Sequence, residues 1–419
     1  MADGTPVSAN PAAVVFAVGG LYVAQSVIGG VTWTGLPAVL RDQGLSLDNV
    51  GLLSLIALPW ALKFLWAPMV ERYRLPPVGR NRSGVIVAVG GIISIAGLIV
   101  VGLLGPSPLV PVLACLTVVA LAAATVDIAC DGYAVESLPR SQHGWANAAQ
   151  VGGAYLGSAI GGGLFLLLVA GLGWTDAMWA MAALLAVLGL PFLLRSQAAG
   201  ASEERPHVPS LAAALRRPAI RRGLLAAALY VVAQKTALMM LGPFLVDAGL
   251  DLATLGLLNG AGSMVVGLGA ALLGGALVRM LGARAVLVIA LVLQALALAT
   301  FASRGLLFID LPLPVLLAVA VASSSGIMAL GFVALYAQFM HWSDPRQGGV
   351  DFTLFQSMDA LVSMAGGVAA GFVAEHLGYG VFFAGAGLIA LATIPAIAFV
   401  TRPTTPEIPA TLEPVGESQ

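Results

Sequence analysis

Twelve stretches of about 20 apolar residues, separated by short polar turns, leave this chain little choice of architecture. In hydrocarbon a backbone must satisfy its own N–H and C=O groups, and a helix of ~20 residues does so across a bilayer. The stretches lie near 12–37, 49–69, 84–104, 109–138, 145–170 and 176–195, then near 222–246, 254–278, 284–302, 312–341, 350–374 and 379–401. Only 9% of the 419 residues are charged, against about 25% in a soluble domain. An all-α polytopic membrane protein is therefore expected. Its 51 glycines suit helices that pack through small side chains. A net charge of −1 gives no bulk attraction to nucleic acid. The opening MADGTPVSAN lacks the basic start of a cleaved signal peptide, so the first stretch is expected to remain a span. Cys115 and Cys130 fall in one expected helix, about 22 Å apart at 1.5 Å per residue, too far to form a disulfide.

The longest polar interruption, residues 196–221, reads as a cytoplasmic linker that tethers an N-terminal six-helix bundle at 1–195 to a second at 222–402. The Pro-rich end, 403–419, reads as a disordered tail. Placing both termini in the cytoplasm assigns 15 of the 19 Lys and Arg residues to cytoplasmic segments, as the positive-inside rule requires. Arg41 and Arg304 fall outside, and Lys63 and Lys235 lie within spans. The halves repeat. Leu40-Arg-Asp42-Gln-Gly44-Leu45 matches Leu245-Val-Asp247-Ala-Gly249-Leu250, and Pro139-Arg140 with Gln150 matches Pro345-Arg346 with Gln356. Six plus six helices in a parallel repeat is the pattern of the major facilitator fold: twelve transmembrane helices in two six-helix pseudo-repeats that rock about a midplane site.

Local motifs add a family resemblance. Lys63-Phe-Leu-Trp-Ala-Pro68-Met-Val-Glu71-Arg72-Tyr with Gly79-Arg80-Asn-Arg82 resembles the loop signature of the AmpG-like branch of the major facilitator superfamily. So does Asp127-Ile-Ala-Cys-Asp131-Gly-Tyr-Ala-Val-Glu136. That branch includes muropeptide permeases, acetyl-CoA transporters and RhtX/FptX-type ferric-siderophore permeases. GWANAAQVGGAYLGSAIGGG from Gly144 and Gln234-Lys235-Thr236-Ala-Leu-Met-Met-Leu-Gly-Pro243 are most similar to the siderophore permeases. The first loop carries Glu71 where the wider superfamily usually has aspartate. The second-half loop, Gly275 to Arg284, lacks the acid.

Ionisable groups at membrane depth are costly unless neutralised, paired or hydrated, so their default reading is functional. Asp127 and Asp131 share one face of the fourth span, with no acid at the matching place in the tenth. Asp359 lies mid-depth in the eleventh span. These three acids are the candidates for proton coupling. Lys235, deep in the seventh span, is expected to pair with Asp359 or Asp131, or to meet an anionic group of the cargo. Gln25, Trp33, Gln150, Tyr155, Tyr230, Met239, Tyr336 and Gln356 complete the candidate substrate-binding set, as hydrogen-bonding, aromatic or adaptable apolar lining. Glu71, Arg72, Arg80, Arg140 and Arg346 are candidates for a conformational latch of charge pairs that form in one state and break in another.

No nucleotide-binding loop is present. His143, His207, His341 and His376 do not cluster, so neither a metal site nor a cofactor is expected, and no catalytic constellation appears. The resemblance implies a bacterial inner-membrane permease, a proton symporter working as a monomer by alternating access. A ferric siderophore is the preferred cargo, entering as a finished chelate. A muropeptide or other amphiphilic anion, an efflux carrier, and a non-transporting membrane sensor or assembly factor stand as alternatives.

Overall fold

The structure is a computed structural model describing residues 11–42, 56–197, 203–205, 207–250, 254, 257–307, 309 and 311–402. Among these residues, ten helical stretches are long and apolar enough to cross a membrane. In the first half they are α1 (Pro11–Leu40), α3 (Ser83–Leu104), α4 (Leu109–Ser137), α5 (Arg140–Leu172) and α6 (Trp174–Arg195). In the second they are α7 (Pro218–Asp247), α8 (Gly260–Leu281), α9 (Ala283–Leu306), α10 (Leu313–Trp342) and the long run Pro345–Val400. That run turns at Gly378, whose φ of 78° is open to glycine at little cost. It therefore comprises α11 (345–377) and α12 (379–400). Gly173 makes the corresponding turn between α5 and α6 at φ 92°. Helix α2 (58–74) completes the pattern. The expected twelve helices are thus accounted for, except that residues 49–55 of the second span lie outside the described residues. The same is true of much of the first repeat motif after Asp42 and of the 403–419 tail.

Several helices change winding within the membrane. Helix α1 passes through a π turn at Val31–Gly35 just before Pro37. Its repeat counterpart α7 passes through a 3-10 turn at Thr236–Met240 just before Pro243, and α2 through Lys63–Leu65 before Pro68. Proline cannot donate to the carbonyl four residues back and crowds it, which loosens the preceding turn. Pro191 in α6 and Pro395 in α12 are carried without such a change, so proline permits the rewinding and local packing decides it. At α1 that packing is backbone against backbone: a Cβ on Gly30 would lie 2.8 Å from the Gly162 nitrogen of α5.

The halves meet along two seams at the arginine-rich end. In one, α4 and α2 face the start of α11; in the other, α5 faces α8 and α10. Both rely on glycine. A Cβ on Gly132 would sit 3.0 Å from the Gly349 nitrogen, and one on Gly144 would sit 2.9 Å from the Gly275 carbonyl oxygen.

The described residues of the 196–221 stretch contact both halves. Glu203–Glu204 (β2) pairs antiparallel with Val78–Gly79 (β1) of the α2–α3 turn. His207 Nε2 lies 3.0 Å from Gln347 Oε1, which also accepts from the Ser210 backbone N–H. Ser210 caps a short helix, Leu211–Arg216, and α7 begins at Pro218, earlier than the apolar pattern suggests.

Candidate functional site

Away from the arginine-rich end, two groups of charged residues lie inside the bundle, one mostly from each half. In the first, the rewound turn of α2 aims Lys63 at α4. Its side chain is buried, with the residue only 2% exposed, and its ammonium donates both to Asp127 Oδ2 and to Gln356 Oε1 of α11. One turn further along α4, Asp131 is fully buried. Its Oδ1 accepts from the Tyr22 hydroxyl of α1 at 2.8 Å and from Gln150 Nε2 of α5 at 3.3 Å. Asp131 Oδ2 has no hydrogen-bond partner among the described residues. Two acids one turn apart are thus treated differently: one faces a cation, the other only neutral donors.

The second group belongs to the other half. Lys235 donates to Asp359 Oδ1 at 3.0 Å, which also accepts from the Ser363 hydroxyl at 3.0 Å. The Tyr336 hydroxyl donates to Asp359 Oδ2 at 3.1 Å. Of the partners open to Lys235 in the sequence, the structure therefore joins it to Asp359 and gives Asp131 to Tyr22 and Gln150. The Lys235 side chain is 34% exposed and lies 5.5 Å from the centre of the Phe332 ring. It is positioned to meet an anion as well as to hold Asp359. The repeat-related pair Gln150 and Gln356 both serve the first group, one at Asp131 and one at Lys63.

Other candidates separate. Trp33, 44% exposed, meets Trp60 of α2 edge to face at 5.3 Å. Met239, also 44% exposed, lies against Gly367 of α11. Both are available as lining. Three others are not brought to the ionic groups. Gln25 borders a separate, half-open cavity of about 290 Å³ lined by α1, α3, α4 and α6. Tyr155 lies over Gly267 of α8, and its hydroxyl donates to the Ser325 carbonyl of α10 at 3.3 Å. Tyr230 is fully buried against Phe332 and Gly331. Tyr155 and Tyr230 thus act as packing groups between helices, a correction to their reading as cargo contacts.

The latch also needs revision. Glu71 is fully buried, yet its partner is Arg74, one helical turn on, through two bonds of 2.8 and 2.7 Å. Arg74 Nη1 continues to Glu136 of α4 at 2.7 Å, where Asn81 also donates at 2.9 Å. Glu71 Oε1 then accepts from the Gly349 N–H at 3.3 Å, linking this buried network to the start of α11 in the other half. Arg72, Arg80 and Arg140 are exposed and form no ion pair among the described residues. Arg346 pairs with Asp344, two residues away on its own turn, at 2.7 Å. Asp351, at the first turn of α11, is instead held by Arg217 and by Gln347 Nε2 at 2.7 Å.

Buried Lys63, Tyr22 and Arg74 were left out of the candidate sets drawn from the sequence. Lys63 carried a signal similar to that of Lys235, an ammonium inside an apolar stretch, but it lies nearer one end of its expected span. Tyr22 offered no signal beyond a hydroxyl in mid-span.

The Major Facilitator Superfamily profile matches residues 18–307 and 224–417. An anhydromuropeptide permease of Escherichia coli K12 is 28% identical over 360 residues, covering 83% of this chain and 72% of that permease. An uncharacterized protein of Haemophilus influenzae is 25% identical over 363 residues, covering 83% of this chain and 85% of the other. Among solved structures, the human organic anion transporter MFSD10 superposes with a TM-score of 0.73 at 18% identity, covering 93% of this chain and all of that one. The transporter FucP in its outward conformation superposes with 0.68 at 14%, covering 93% and 99%. At those identities the likeness establishes the fold alone. With the profile spanning both halves, this multi-pass membrane protein belongs to the Major Facilitator Superfamily, a family of transporters rather than enzymes.

Proposed function

We propose that the chain is a proton-coupled importer of an amphiphilic anion, working by alternating access in a bacterial inner membrane with both termini in the cytoplasm. One observation carries this reading: each half holds an intramembrane Lys–Asp pair, and beside one of them Asp131 is buried without a cation of its own. A carboxyl in that position is suited to take and release a proton, and a family member that only scaffolded a complex would gain little from such costly groups. Lys235, partly exposed beside Phe332, supplies a cationic contact for the cargo. Trp33 and Trp60 supply ring surface.

The likeness to an anhydromuropeptide permease supports taking an anhydromuropeptide first among cargoes. Its carboxylates would meet Lys235, and its sugar faces the indoles. A ferric siderophore stands second, supported by the resemblance of the segments beginning at Gly144 and Gln234. The chain is proposed to act as a monomer.

The test is uptake of radiolabelled anhydromuropeptide against radioiron–siderophore in cells lacking the chain, with and without its re-expression. Accumulation of the first that collapses with a protonophore is expected. Asp131→Asn should leave under about a tenth of it, as expected for loss of a functional intramembrane acid. Re-expression that accumulates neither cargo would overturn the cargo reading. Asp131→Asn uptake with unchanged size and pH response would overturn the coupling.

A further inference from the structure

We infer that Lys63 is the interlock between the carboxyl pair of α4 and the closure of the two halves, acting as a positioning residue for the transport cycle. The inference rests on the proton-coupled reading above and adds the part that turns a proton into a movement.

The argument begins with charge. Lys63, Asp127 and Asp131 together carry −1 when all are ionised, and one bound proton brings the group to zero. The ammonium has two carboxyls one helical turn apart on α4 but contacts one of them, Asp127. From that position it also donates to Gln356, which belongs to α11 of the other half. Lys63 thus ties α2, α4 and α11 together at a single nitrogen. The tie depends on which carboxyls are ionised. An ammonium in a low-dielectric interior follows the anion. With the proton on Asp131 and Asp127 ionised it stays beside Asp127 and Gln356, and the seam is held. With Asp131 ionised as well, the ammonium is shared between two anions, is drawn along α4 toward Asp131 and leaves Gln356. The proton adds to a carboxylate oxygen and departs from the same atom, so no other reactant is needed.

The surroundings leave Lys63 no competing anion nearby. Facing the pair are the Tyr22 hydroxyl from α1, the Cys130 thiol from α4, Gln150 from α5 and Gln356 from α11. The Tyr336 hydroxyl of α10 feels both carboxyls but is committed to Asp359. Asp359 in turn is committed to Lys235, and Glu71, nearer the arginine-rich end, to Arg74. No other cation contacts Asp127 or Asp131 among the described residues.

The experiment measures closure directly and needs no cargo. Spin labels on Arg72→Cys in the first half and Arg346→Cys in the second, both exposed, report the separation of the halves at the arginine-rich end. Cys115→Ala and Cys130→Ala remove the native thiols. The full chain is held in lipid nanodiscs, and distances are read by pulsed electron resonance at pH 5 and pH 8. Lys63→Met, Asp127→Asn and Gln356→Leu should each move the distribution toward longer distances and abolish its pH response. Asp131→Asn should keep the short distance while losing the pH response, and Lys63→Arg should retain much of both. If Lys63→Met does not fold, Lys63→Met/Asp127→Asn removes both charges together and should give the same long distance. Wild-type distances and pH response in Lys63→Met, or in that double variant, would overturn the inference and leave Lys63 a structural charge. A pH-insensitive wild type in which Lys63→Met still lengthens the distance would keep the interlock and refute proton coupling.

Discussion

The two seams that join the halves are built on the same plan and filled differently. At the start of α11, Gly349 lies close to α4, and the gap beside it holds the buried chain Glu71–Arg74–Glu136. At the start of α5, Gly144 lies equally close to α8, but its neighbours are Gly275 and Val278. Nearby, Asn147 reaches only a backbone carbonyl and the Met340 sulfur. The first seam has strength that depends on charges and their alignment. The second depends on close packing and neutral hydrogen bonds, with no ion pair across it among the described residues. A contact of the first kind has two discrete conditions, made and broken, whereas close apolar packing slides or pivots at lower cost. On the proposed transport cycle, this difference makes α2, α4 and α11 the expected latch and α5 and α8 the expected pivot.

The largest test of this contrast is Glu71→Ala. It leaves Arg74 buried with one carboxylate fewer, a change that costs about 3–5 kcal/mol when a buried pair loses one partner. The expected result is a large drop in melting temperature in detergent and an arginine-rich end open to cysteine-reactive probes. A variant as stable and as closed as wild type would erase the distinction between the seams. Adding one methyl to each seam is a finer comparison. A Cβ on Gly349 would meet Glu71 Oε2 at 2.5 Å and the Ile128 carbonyl at 2.7 Å. Overpacking of this kind costs about 1–3 kcal/mol. Gly349→Ala should therefore lose most transport while the protein still folds. Gly144→Ala, 2.9 Å from the Gly275 oxygen with Val278 able to give way, should lose less. Equal losses in an uptake assay would argue that both seams latch.

Much of this could be read from the chain. Span lengths and the excess of arginine in one set of loops revealed the helices, because the bilayer imposes both. The buried acids were legible for the same reason. What stayed hidden was direction. Helices apolar on every side carry no stripe to say which face looks inward, so Gln25, Tyr155 and Tyr230 could not be separated from Trp33 and Met239. Pairings across many residues, such as Lys63 with Asp127 and with Gln356, leave no local pattern. The Glu71–Arg74 pair was accessible in principle: residues three apart share a helix face while neighbours do not, which favours Arg74 over Arg72. The polar composition of 196–221 suggested a tether because strand pairing with the α2–α3 turn is invisible to composition.

The smallest effect should come from Arg346→Ala. Partial burial pushes the Asp344 carboxyl up, but Arg346 beside it outweighs this and holds it below its ordinary value. A lowered folded-state value means stability that is present above the unfolded value and fades as pH falls through the folded one. Arg346 is exposed, so solvent screens most of that contribution. Melting temperature at neutral pH should be indistinguishable from wild type, with at most a slight narrowing on the acid side. A large shift would mean that the exposed pair takes part in closure.

The placement of lysine has a practical consequence. The sequence holds two, Lys63 and Lys235, and both lie inside the bundle. Arginine supplies every basic side chain at the turns. Side-chain amine chemistry on this protein therefore reports on the interior of the bundle alone. An acylating reagent finds Lys235 partly open and Lys63 shut, and on the proposed cycle the ratio of the two modified peptides would follow the tilt of the halves.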